Sequence, residues 1–178
     1  MSTVRAVDSA AIIERLSRFP RALRGVASVV SDADAVWSPA PEHWSVLEVC
    51  CHLLDEERED FRVRLELTLR DPKLPWPALD LKDVSEKRGY RERSLGQTLE
   101  QFEGERARSV EWLRGVAGTR WELAHHHPTW GSISAGTLLG SWAAHDALHL
   151  RQIARRLHDL ARRDAGGHPV EYAGPWSV

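Results

Sequence analysis

The sequence predicts an all-α fold: a four-helix bundle with one long crossover connection. Three observations predict it. Four stretches carry apolar residues at helical spacing, no strand-period segment runs longer than a few residues, and one proline-rich connection separates the second helix from the third. The 178 residues suit a single domain with one core, residues 1–178, with an irregular tail from about 164.

Taken in order, Ile12, Leu16, Phe19, Leu23, Val26 and Val30 follow one another at steps of four and three, the period of an amphipathic helix. Pro20 interrupts that stripe and must either kink the helix or open a second piece. The second helix has a clear start: Ser45 followed by Glu48 forms a capping box, with Trp44 in the staple position. Its stripe of Leu47, Cys50, Leu54, Phe61 and Leu65 runs to about Arg70, where Asp71-Pro72 stops it. Residues 71–93 hold Pro72, Pro75 and Pro77 and no steady period; connections of that length are usually functional or crossover segments. The third helix spans about Leu95 to Val116, with Leu95, Leu99, Phe102, Val110 and Leu113 inward. Trp121 to Ser134 reads as a loop, and Ser134 caps a fourth helix from about Ala135 to Arg163.

Charge and composition bound the partners. Lys+Arg number 24 against Asp+Glu 26, a balance that argues against nucleic acid or an anionic membrane. No apolar run approaches the roughly 20 residues of a membrane span, and Met-Ser-Thr-Val-Arg-Ala-Val-Asp has no apolar signal core. Cys50 and Cys51 are adjacent in a helical pattern and make a poor structural disulfide, which suits a reducing cytoplasm.

The fourth helix carries the chemistry. Leu138, Trp142, His145, His149 and Gln152 lie along one face, so two histidines interrupt a stripe that otherwise meets the core. Residues four apart on a helix have Cβ atoms about 5–6 Å apart, close enough for two imidazoles to share an ion. His52, mid-way along the second helix, can meet His145 and His149 if the two helices face each other. Three neutral imidazoles with an open position describe a catalytic rather than a structural zinc site, and zinc, nickel or cobalt suits such ligands. Glu56, one turn after His52, and the flanking Glu48 and Asp55 are positioned to orient the rings or, for Glu56, to relay a proton. The alternative is three separately hydrogen-bonded core histidines.

Trp142 and Gln152, a turn to either side of the pair, are the candidate substrate contacts, with core packing the default for Trp142. His125-His126-His127 cannot share one metal, because consecutive side chains diverge. His43, His158 and His168 have no ligand-spaced partner and are expected to be exposed. Arg151, Arg155, Arg156, Arg162 and Arg163 read as a solvated basic end, with an anionic substrate group as the less favoured use. The pair His145-Asp-Ala-Leu-His149 departs from the zincin HExxH pattern at Asp146, a methylene shorter than the base that chemistry needs.

Together, Trp44-Ser45-Val-Leu-Glu-Val-Cys-Cys-His52-Leu-Leu-Asp-Glu56 and His145-Asp-Ala-Leu-His149-Leu-Arg-Gln152-Ile resemble the DinB-like superfamily, which includes YfiT-type metal-dependent hydrolases, bacillithiol S-transferases and mycothiol-dependent maleylpyruvate isomerases. The resemblance covers most of the chain. It implies an up-up-down-down-like four-helix bundle, a His52/His145/His149 site for zinc or nickel, and often a homodimer. With no well-placed Ser or Cys nucleophile and no HExxH glutamate, the favoured expectation is a metal-dependent enzyme that transfers a low-molecular-weight thiol to a small-molecule electrophile through a metal-bound thiolate. The alternatives are hydrolysis by metal-bound water and a non-catalytic metal-binding or stress-related module.

Overall fold

The computed structural model describes residues 6–176. Four long helical segments build a bundle: α1 (Ser9–Ala27); α3 (Val46–Glu59) continued by α4 (Phe61–Arg70); α6 (Leu95–Val116); and α7 (Ala135–Asp164). The one-turn helices α2 (Asp32–Ala35) and α5 (Val84–Lys87) lie in the connections. Helix α1 packs on α6 and α7, and α3 packs on the same two, so α1 and α3 sit on one diagonal and α6 and α7 on the other.

Directions follow from cross-helix pairs. Cys51 meets Thr98, Glu57 meets Arg106 and Arg62 meets Ser109, so numbers rise together and α3–α4 runs parallel to α6. Numbers run oppositely between α3–α4 and α7 (His52 with His149, Phe61 with Trp142) and between α1 and α6 (Leu16 with Arg106, Phe19 with Phe102). The order is therefore up-down-down-up, which corrects the up-up-down-down expectation. The parallel step from α4 to α6 requires the chain to travel back the length of the bundle, and residues 71–93 do this.

Local chemistry explains the helix ends. Ser45 Oγ accepts from Glu48 N at 3.2 Å while Glu48 Oε2 accepts from Ser45 N at 2.8 Å, which closes the capping box. Pro20 lies inside α1 and neither ends it nor opens a second piece. Having no N–H, it leaves the Leu16 carbonyl without its helical donor, and Arg106 Nη1 donates to that oxygen at 3.2 Å. The helix stops at Ala27, short of Val30, which still packs against the core.

The second helix breaks at Asp60, whose φ of −114° and ψ of −93° leave the helical region. Helical spacing on both sides of one misfit residue gives no sign of it. Residues 121–134 hold a β-hairpin rather than a plain loop: β1 (Ala124–His127) pairs antiparallel with β2 (Gly131–Ser134). Strands of four residues are too short to show a period. Gly131, at φ +71°, takes the left-handed conformation that follows the three-residue turn, and His127 Nδ1 accepts from Thr129 N and Trp130 N within it.

The apolar core falls into two clusters. One gathers Leu23, Leu47, Leu53, Leu54, Leu99 and Ile153; the other gathers Leu16, Leu65, Leu113, Leu139 and Trp142. No helix among the described residues is long and apolar enough to cross a membrane.

Candidate metal centre

Helices α3 and α7 bring His52, His145 and His149 together, with one ring nitrogen from each lying within 4.8 Å of the others. His145 Nε2 and His149 Nε2 approach to 3.0 Å, the consequence of four-residue spacing on one helix. His52 comes in from α3 with its ring centroid 4.8 Å from that of His149 and 5.6 Å from that of His145. His52 is buried, whereas the α7 pair is half-buried, so the cluster is closed on the core side and open outward. The Trp44 ring flanks His52 and the Phe61 ring flanks His145.

Burial sets the protonation state. It pushes His52 down to about 4, and the neighbouring His149 adds to the effect. His145 is pushed to about 3 by burial and then by His149 and His52. His149 is lowered by burial too, against a raising hydrogen bond to Gln152. Near neutral pH all three rings are uncharged and hold lone pairs. Gln152 Oε1 lies 2.9 Å from His149 Nδ1; with that nitrogen as the donor, the Nε2 lone pair faces the cluster. Neutral imidazoles with converging nitrogens form a donor set that fits a divalent ion with nitrogen bonds of about 2.0–2.1 Å.

The carboxylates are used differently from the expectation. Glu48 and Asp55 do not orient the rings. Glu48 accepts from Ser85 Oγ and from Arg91 Nε at 3.1 Å, and Asp55 Oδ2 accepts from Arg88 Nη1 and Tyr90 Oη, both at 2.8 Å. These acids fasten the crossover onto α3. Their partners are more than thirty residues away in sequence, so spacing along one helix could not separate this use from ring orientation. Glu56 Oε1 stands 4.0 Å from His52 Nδ1, beyond hydrogen-bond range. Burial, with Asp60 hydrogen-bonded beside it, raises the Glu56 carboxyl to about 8, so it holds a proton at neutral pH.

Trp142 is 1% exposed, and its indole Nε1 donates to Glu57 Oε2 at 3.1 Å. It stacks on Phe61 and packs behind the site, so it takes the core role and not that of a pocket wall. The buried partners behind it were not legible: Arg106 donates to Glu57 Oε2 at 2.9 Å and to both Asp146 oxygens at 2.6 and 2.9 Å. The only signal was an arginine on the inward row of the third helix, between Phe102 and Val110.

His125 bonds the Pro72 carbonyl and stacks on Trp76, tying hairpin to crossover. His43 and His168 are exposed, while His158 is half-buried against Trp176. Arg156 is buried, a correction to the solvated-face expectation. Cys50 and Cys51 are both buried thiols; burial raises Cys50 far above its ordinary value and Cys51 to about 11, so neither supplies a thiolate.

The profile of the DinB superfamily matches residues 15–153. A protein of Oceanobacillus iheyensis named "putative metal-dependent hydrolase" is 27% identical over 141 residues, covering 79% of this chain and 81% of that relative. The structure described as "YfiT from Bacillus subtilis is a probable metal-dependent hydrolase with an unusual four-helix bundle topology" matches with a TM-score of 0.79 at 19% identity, over 90% of this chain and 94% of that one. At that identity the likeness establishes the bundle fold alone.

Proposed function

The chain belongs to the DinB superfamily, and on that premise we propose that it is a metal-dependent enzyme that transfers a low-molecular-weight thiol to a small electrophile. The observation that carries the reading is the convergence of His52, His145 and His149, neutral and open on one side. Zinc or nickel held by these three nitrogens would supply Lewis acidity, keeping a bound thiol deprotonated and polarising an electrophile.

The chain's own groups support this division of labour. Gln152 holds the His149 ring in one orientation. Trp44 and Phe61 flank the cluster with apolar surface and limit water beside it. The nearby carboxylates of Glu57 and Asp146 are engaged by Arg106, and Glu56 beside Asp60 holds a proton at neutral pH, so none of these three is a free base. Both cysteines are inert, so a thiolate must arrive with a cosubstrate.

Hydrolysis is the second reading, favoured by the names of the Oceanobacillus relative and of YfiT. Untagged protein loaded with zinc or nickel is assayed against thiols paired with alkylating or epoxide electrophiles, and separately against esters and amides. Turnover only with a thiol present, lost in His52→Ala and His149→Ala, is the expected result. Thiol-independent cleavage of an ester or amide would replace this reading with hydrolysis. Metal binding with no turnover in either panel would leave a binding module.

A further inference from the structure

The basic half of α7 borders a cavity of about 630 Å³. Arg151, Arg155, Arg156 and Arg162 line it, and Asp159 is the single acid among its walls. That carboxylate is shared: Oδ1 meets Arg155 Nε at 3.0 Å and Oδ2 meets Arg156 Nη2 at 3.1 Å. Arg151 and Arg162 have no ion-pair partner among the described residues. Arg156 is 6% exposed, and its Nε and Nη1 find no acceptor. Arg106, the other buried arginine among the described residues, meets two carboxylates, Glu57 and Asp146. A guanidinium buried with half a carboxylate is costly unless something else supplies negative charge.

The cavity is also placed with respect to the histidines. Gln152 lies in its wall and bonds His149 Nδ1 at 2.9 Å. Gln152 and Arg156 follow His149 by three and seven positions, so all three share one face of the helix. Seven residues rise by about 10 Å, a span that a small molecule with two functional ends can bridge. Leu148 and Trp176 add apolar wall for its middle.

We propose that this cavity is an anion subsite of the histidine site, and that the molecule acted on carries an oxyanion group, carboxylate or phosphate, seated among Arg151, Arg156 and Arg162. The link to catalysis rests on the function proposed above; the anion site does not.

Two measurements test it. Metal-free, untagged protein is titrated at low salt with succinate, inorganic phosphate and neutral succinamide, followed by calorimetry. Saturable one-to-one binding of succinate or phosphate is expected, with the tighter of the two identifying the group. Succinamide should not bind, and Arg151→Gln/Arg162→Gln, both exposed positions, should weaken the anion at least tenfold. No saturable anion binding, or binding unchanged in that double variant, overturns the anion site. In the second measurement, cobalt-loaded protein is titrated with 6-mercaptohexanoate and with 6-mercaptohexanol, read by thiolate-to-cobalt absorption. The acid should bind about tenfold tighter than the alcohol, and the advantage should vanish in the double variant. Equal binding of the two refutes the subsite while leaving the metal reading intact. Failure of cobalt to load on a protein that still binds succinate or phosphate refutes the metal reading and the link, and leaves the anion site standing.

Discussion

His145 and Asp146 are neighbours on α7, yet they belong to two buried polar clusters built on opposite principles. Asp146 faces the bundle axis, where Arg106, with Glu57 and Trp142 around it, forms a network in which most donors and acceptors meet. Burial alone would lower Arg106, but its hydrogen bonds to Asp146 and the charge of Glu57 hold it above its ordinary value, so the cation persists inside the fold. The guanidinium also lies against the rings of Phe19, Phe102 and Trp142. His145 faces the other way, into a cluster of three neutral rings with no carboxylate hydrogen-bonded to them among the described residues, and an open side. One cluster meets its cation with two carboxylates, leaving only Glu57 Oε1 without a partner, and locks four helical segments together. The other is left incomplete, and its nitrogens are available to something from outside. A buried polar cluster thus reads as structure when opposite charges close on each other, and as a candidate site when lone pairs of one kind converge on the same space.

That contrast can be broken most directly at Arg106. Arg106→Leu leaves Glu57 and Asp146 buried without a cation and should cost about 3–5 kcal/mol, read as a fall in the urea midpoint with no change in zinc affinity per folded molecule. His149→Ala should have the opposite character. The metal-free protein should lose little stability, whereas the zinc-induced rise in melting temperature should disappear. In the wild type that rise corresponds to about 2.7 kcal/mol at a hundredfold excess of free zinc over its dissociation constant. A zinc shift retained in His149→Ala would erase the distinction between the two clusters.

Gln152→Ala removes the group that holds the His149 ring and should weaken metal affinity by about 10–100-fold, measured by competition with a chelator of known affinity, with the fold unchanged. Trp142→Phe keeps an aromatic ring against Phe61 but removes the indole donor to Glu57 and some buried volume, which should cost at least about 1 kcal/mol in denaturant unfolding.

The smallest expected effect is a slope. In the metal-free protein, His52 and His145 sit at about 4 and about 3, below the ordinary imidazole value near 6.5. The unfolded chain therefore binds more protons between those values than the native state does. The stability held by the neutral rings is complete above about pH 6.5 and is lost as pH falls toward 4. Glu56, held at about 8, works in the other direction and erodes stability as pH rises from about 4.5 through 8. His52→Ala should flatten the acid limb when urea midpoints are compared at pH 5 and pH 7. An unchanged slope would mean that the ring is already satisfied.

Periodicity and capping determined much of this protein before any fold was known. The helix stripes, the Ser45–Glu48 cap and the proline-rich crossover are local features, and so is the i, i+4 pair of His145 and His149 on an inward face. That His52 joins them could be named from sequence but was decided by α3 and α7 packing side by side. The tertiary structure alone set the helix break at Asp60, the hairpin around the three consecutive histidines, the up-down-down-up order, and the attachment of Glu48 and Asp55 to the crossover. It alone paired Arg106 with Glu57 and Asp146, and buried Arg156 beside a carboxylate that it shares with Arg155. The physical reason is common to these last cases. A hydrophobic stripe reports which face turns inward, but the partner of a buried charge is chosen by distance in space, across sequence separations that no local pattern spans.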